Sequence, residues 1–145
     1  MKINLNKVLM GGVIAGIVLI VLDFLNQAYL LGPKSAAEMD AFKPGSSAAM
    51  QSGNGMVMFF VFDILMGIIL VWLYAAMRPR FGPGAATAVK AVIPVWIFSG
   101  IAYYAWVGLG MMSSGLWISY ALAELVIMII AACAGAKFYA EEGTA

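Results

Sequence analysis

Residues 8–22, Val8-Leu9-Met10-Gly11-Gly12-Val13-Ile14-Ala15-Gly16-Ile17-Val18-Leu19-Ile20-Val21-Leu22, contain no charge and no hydrogen-bonding side chain. The apolar run then continues past Asp23, Asn26 and Gln27 to Leu31. A helix that crosses a bilayer needs about 20 consecutive apolar residues. Three further runs have the same character: Gly55–Met77, Val89–Gly110 and Gly115–Phe138. Backbone exposed to lipid must satisfy its own hydrogen bonds, which leaves helices or a closed barrel. These runs are too long and too continuously apolar for barrel strands. The expected fold is all-α: an integral membrane four-helix bundle in one transmembrane domain spanning 1–145, with helices at about 8–31, 55–77, 89–110 and 115–138.

Composition agrees. Of 145 residues, 64% are hydrophobic and 10% are charged, against about 25% charged in a soluble domain. One small core cannot bury that much apolar surface. The first run follows Lys2 and Lys7 and so resembles a secretory signal. It is too long, its far end is polar, and no small-residue cleavage site follows, so it is expected to stay. There is no histidine, and the single cysteine, Cys133, permits no intrachain disulfide or CxxC pair. No phosphate-binding loop, nucleophile elbow or Ser/His/Asp set is present. The chain is therefore expected not to be an enzyme, to hold no cofactor or metal, and, with a net charge of +1, to bind no nucleic acid.

Basic residues set orientation through the positive-inside bias. Lys2, Lys7, Arg78, Arg80, Lys90 and Lys137 fall on one side, and only Lys34 and Lys43 on the other. Both termini are thus expected in the cytoplasm. The outer loop, 32–54, contains Ser35 and Glu38 at capping-box spacing. One short helix is expected from about Ala36 to Phe42, followed by a flexible Gly45–Gly55 stretch. The inner loop Arg78-Pro79-Arg80-Phe81-Gly82-Pro83-Gly84 should end the second helix. Trp72, Tyr74, Arg78 and Arg80 read as anchors at the membrane interface.

Three carboxylates lie inside the apolar runs: Asp23, Asp63 and Glu124. No basic residue lies at similar depth. Intramembrane acids are costly and usually face protein or water. Helical spacing groups them with other small and polar residues. The first run has Gly12, Gly16, Leu19, Asp23 and Asn26 on one stripe, and the second has Phe60, Asp63, Gly67, Leu70 and Tyr74. The third has Trp96, Ser99, Gly100, Tyr103 and Val107, and the fourth has Tyr120, Glu124, Met128, Ala131 and Gly135. Gly12, Gly16, Gly100, Ala131 and Gly135 are the expected helix-packing positions. By depth, the three acids and Tyr103 fall in one layer slightly outside the midplane. Asp23, Asn26, Asp63, Tyr103 and Glu124 are therefore the candidate site. Its functional reading is a proton or cation site, because adjacent carboxylates in a low dielectric cannot all ionise. Its structural reading is a hydrogen-bonded network between helices. A basic residue on a partner subunit is a third possibility. Met50, Met56, Met58, Met111 and Met112 cluster near the outer ends, where thioethers could hold Cu(I) but more often fill space.

The segments Gly11-Gly12-Val13-Ile14-Ala15-Gly16 with Asp23 and Asn26, Trp72-Leu73-Tyr74-Ala75-Ala76-Met77-Arg78-Pro79-Arg80-Phe81-Gly82-Pro83-Gly84 with Thr87-Ala88, and Glu124 resemble small bacterial four-helix inner-membrane proteins of unknown function. The resemblance spans most of the chain except the outer loop. It implies a bacterial inner-membrane location and no particular activity. The leading expectation is a non-catalytic membrane protein, an accessory subunit of a membrane complex or a homo-oligomer, surrounded by lipid. The alternative is a small proton- or cation-coupled transporter or channel. A reporter active only outside the membrane should be silent when fused after Ala145 and active when inserted within Ser46–Asn54; the opposite pattern would reverse the orientation.

Overall fold

The computed structural model describes residues 3–140. Lys2, counted above among the inner basic residues, lies outside them. Among the described residues the chain is all helical, with no strand. It contains α1 (Leu5–Tyr29), α2 (Gly32–Phe42), α3 (Ser46–Gln51), α4 (Gly53–Phe81), α5 (Ala85–Gly108) and α6 (Ser114–Ala136). Four of these, α1, α4, α5 and α6, are long and apolar enough to cross a membrane.

Local chemistry sets the boundaries. Asn4 caps α1, its side-chain oxygen accepting from the Lys7 N–H at 3.1 Å, so the helix starts ahead of the apolar run. Ser113 caps α6 in the same way, accepting from Leu116 N–H at 3.2 Å. The inner loop is shorter than expected. α4 runs through Pro79 to Phe81, because proline removes only its own N–H and the following bonds survive, such as Gly82 N–H to Arg78 C=O at 2.9 Å. The turn falls instead on Gly82 and Gly84, whose φ values of +79° and +120° suit glycine.

The outer loop also departs from expectation. It holds two helices rather than one. α2 begins at Gly32 with Pro33 in its first turn, and Ser35 forms no capping box; its N–H donates to Leu31 C=O. The stretch expected to be flexible contains α3. Gly45, at φ +85°, turns the chain between the two helices. Asp40 then fastens the start of α3, accepting from Ser47 N–H at 2.9 Å and from Ser47 Oγ at 2.5 Å.

The bundle packs tightly at the end that carries the start of α1, the end of α6 and the 82–84 turn. Ala15, Leu70, Val71, Ala88, Ala91, Val92 and Ala131 are fully buried there. Glycine makes this possible. A Cβ on Gly12 would lie 2.6 Å from Ile68 Cα, and one on Gly16 would lie 2.6 Å from Ile64 Cα. From the other side, a Cβ on Gly67 would collide with the backbone of Gly12 and Gly16. Gly11 and Gly135 make a second close approach between α1 and α6. Gly100 does not belong to this set, since a Cβ there meets nothing within 4 Å. The helices diverge on its side of the bundle, and its carbonyl serves as an acceptor instead.

Towards α2 and α3 the packing loosens. Residues 56–62 of α4 are all exposed, as are Phe98 and Ile101 of α5. Phe60, placed on an inward stripe by its spacing, is among them. Gly16→Leu and Gly67→Leu should each lower the thermal midpoint in detergent, because overpacking costs about 1–3 kcal/mol where backbones touch. Gly100→Ala should leave it unchanged. Equal behaviour of all three variants would refute the assigned contact.

Candidate functional site

The two close glycine contacts set the heights of the acids. On α6, Gly135 lies against Gly11 and Ala15. Running eleven residues back along the antiparallel pair brings Glu124 level with Asp23. Their carboxyls lie close enough to share a hydrogen bond. Such a bond requires one of the two groups to carry a proton, since ionised carboxylates only accept. The Asp23 Oδ1 atom is buried without a hydrogen-bond partner among the described residues, so a proton between the two acids would supply one.

Asp63 sits lower. Gly16 packs on Ile64 and on the Asp63 carbonyl, which places Asp63 level with about residue 17 of α1. Asp23 is then about 9 Å further along the helix axis at 1.5 Å per residue. The single layer expected from depth alone is therefore spread over nearly two turns. Asp63 remains within electrostatic reach of Asp23 and Glu124. Tyr103 is within reach of all three acids, yet it is 43% exposed and stacks on Trp106 with ring centroids 5.8 Å apart. Asn26 is 3% exposed, and its Oδ1 has no hydrogen-bond partner among the described residues.

The column of polar groups continues towards α2. Tyr120, one turn from Glu124, donates its hydroxyl to Gln27 Oε1 at 2.9 Å. Ser35 of α2 lies near this tyrosine. In the opposite direction, past Asp63, the core is mostly apolar. Among the described residues, no three His, Cys, Asp or Glu side chains gather closely enough to hold a metal ion.

Two tryptophans and two tyrosines have roles that spacing did not reveal. Trp96 Nε1–H donates to Ala121 C=O at 2.7 Å, and Trp117 Nε1–H donates to Gly100 C=O at 3.1 Å. Together they cross-link α5 and α6 in both directions. An indole N–H at membrane depth needs an acceptor, and that requirement was the available signal. Tyr74 is not an interface anchor. It is 3% exposed, and its hydroxyl accepts from Gly84 N–H at 3.2 Å, holding the turn. Its ring meets Tyr139 edge-on at 5.9 Å, and Arg78 lies over Tyr139 at 5.6 Å. Trp72 and Arg80 are exposed near this end. Ala131 is fully buried within the inner core.

Outside the spans, Glu38 latches α2 to the start of α6. Its carboxylate accepts from Ser113 N–H at 2.6 Å and from Ser113 Oγ at 2.7 Å. The backbone bond is the main reason its carboxyl is held below the ordinary glutamate value, with the Ser113 hydroxyl and Lys34 adding to it. Comparison with protein-family models, curated proteins and solved structures finds no match.

A depressed carboxyl contributes stability above its unfolded value and loses it as pH falls through the folded one. Hydrogen exchange at the first turn of α6 should therefore speed up, beyond the intrinsic pH trend, as the solution is acidified below the ordinary glutamate range. Glu38→Gln should show the faster exchange already at neutral pH. An α6 terminus protected equally in both proteins would exclude the latch.

Proposed function

We propose that this chain is a non-catalytic integral membrane protein, acting as an accessory subunit of a membrane complex or as a homo-oligomer. The observation that carries the reading is the Asp23–Glu124 pair. The two carboxyls face each other between α1 and α6, above an end whose buried core is mostly apolar. The polar residues thus hold helices together rather than line a path. The small-residue faces are also used within the chain, at Gly12, Gly16, Gly67 and Gly135. A partner would meet the diverging outer halves of α4 and α5, where Phe62, Phe98 and Ile101 are exposed. The resemblance supports a bacterial inner membrane. The gathering of Lys7, Arg78, Arg80, Lys90 and Lys137 near one end supports a cytoplasmic placement of both termini.

One observation favours a second reading, a proton- or cation-coupled transporter or channel. Asn26 Oδ1 is buried beside Asp23 on the same helix face without a partner, as an oxygen awaiting a cation or proton carrier would be. The two readings separate in proteoliposomes. Under the first, Glu124→Gln and Asp63→Asn keep fold and assembly, because an amide still hydrogen-bonds and such bonds are worth about 0.6–2 kcal/mol in membranes. No flux accompanies either protein. A pH-dependent cation flux in the wild type, abolished in either variant at equal thermal stability, would replace the first reading with the second.

A further inference from the structure

The end of the bundle that carries the 82–84 turn brings two cations to one ring. Phe81 closes α4 and is 48% exposed. Arg80 precedes it, and its Cζ lies 5.7 Å from the Phe81 ring centroid. The turn then folds α5 back so that Lys90, from another helix, places Nζ at 4.3 Å from the same centroid. A ring attracts one cation through its face. Two like charges drawn to one ring repel each other, and an anion placed beside both relieves that repulsion.

No described acid supplies that anion. Asp23, Asp63 and Glu124 lie beyond the sealed apolar end, and Glu38 and Asp40 belong to α2. The neighbouring start of α5 at Ala85 also has no side-chain cap, so its first N–H groups add to the positive field. Arg80 and Lys90 are both exposed, as are Ala85 and Ala86 beside them. The patch sits where an apolar span long enough to cross a membrane ends, which is where lipid headgroups would meet it. It pairs charge with exposed apolar surface, which suits a lipid better than a soluble ion.

We propose that Arg80, Phe81 and Lys90 form a binding site for the phosphate of an anionic membrane lipid. The two cations flank the phosphate, and the ring holds them in place and contacts the adjoining glycerol and upper acyl carbons. This differs from a diffuse basic rim, because it depends on one ring shared by two helices and not on total charge. It is independent of whether the protein is an accessory subunit or a transporter.

The test reconstitutes the full chain in vesicles of equimolar phosphatidylcholine and phosphatidylglycerol. The protein is then extracted in mild detergent, and the retained lipid is measured by mass spectrometry. Wild type should retain phosphatidylglycerol in preference to phosphatidylcholine. Arg80→Gln with Lys90→Gln should weaken retention about thirtyfold, as expected for two near-surface cations. Lys90→Arg should restore it when reintroduced beside native Arg80. Phe81→Leu keeps both charges and should still lose part of the preference. Lys7→Gln with Lys137→Gln removes the same charge from the same end and should lose clearly less than the Arg80/Lys90 variant. The proposal fails if the Arg80/Lys90 variant retains as much as wild type. It fails equally if the Lys7/Lys137 variant loses as much, or if Phe81→Leu changes nothing. Complete displacement by millimolar inorganic phosphate would assign the patch to a soluble anion and overturn the lipid reading.

Discussion

The backbone-to-backbone approach of α1 and α4 is the constraint on which the remaining geometry rests. Gly12 and Gly16 interlock with Gly67 so closely that a methyl group on any of them would strike main-chain or side-chain atoms of the other helix. In lipid there is no hydrophobic force between helices, so close packing must supply the association. A contact this tight also permits only one axial alignment. Sliding α4 by a single residue would put a side chain where Gly67 now sits. The height of Asp63 relative to Asp23 follows directly from that alignment. The Gly11–Gly135 approach does the same for α6, and it brings Glu124 to Asp23.

The two ends of the bundle consequently differ in kind. One is closed by glycine contacts and by the aromatic group of Tyr74, Tyr139 and Arg78. Tyr74 holds the 82–84 turn, and the Asn4 N–H approaches the Tyr139 hydroxyl at 3.4 Å. The other end lacks such contacts between α4 and α5, and it is held by side-chain hydrogen bonds. Trp96 and Trp117 tie α5 to α6, Tyr120 ties α6 to α1, and Glu38 ties α2 to Ser113. Hydrogen bonds tolerate small shifts that interlocked backbones do not. Any rearrangement of this chain is therefore easiest at the end where the acids lie.

Much of the fold was legible in the sequence because its signals are additive. Twenty apolar residues in a row identify a span whatever they pack against. Gly12 and Gly16 could be singled out by spacing alone, whereas Gly67, their partner, carries no mark that distinguishes it from Gly100. Only the crossing point of two helices decides which glycine is needed. Helix ends were less legible where capping competed with proline. Pro79 looked like a terminator, but one missing N–H near a helix end costs little. The outer loop was misread because Gly45 looked like the start of a flexible segment, when it is a hinge between two short helices. Tyr74 was misread because an aromatic near a basic cluster ordinarily sits at the interface. Its position on the same stripe as Gly67 and Leu70 pointed the other way.

The depth of the acids shows most clearly what a linear reading cannot supply. Counting from the centre of each run assumes that every span is centred in the same plane. The glycine contacts set the axial offsets instead, and they need not agree with the centres of the runs. Asp23 and Glu124 are brought together because each lies nearly the same distance along its helix from the Gly11–Gly135 contact. Two carboxyls so placed need only one proton to become mutual partners, the smallest compensation available where the described spans hold no basic residue at that depth. Asp63 is denied this arrangement by its own helix contact. It is near enough to sense the pair and too low to join it. The pair can satisfy itself with that one proton, while Asp63 and the unpartnered Asn26 oxygen have no such mutual partner. Of the three acids, Asp63 is the one that its helix contact holds apart from the other two.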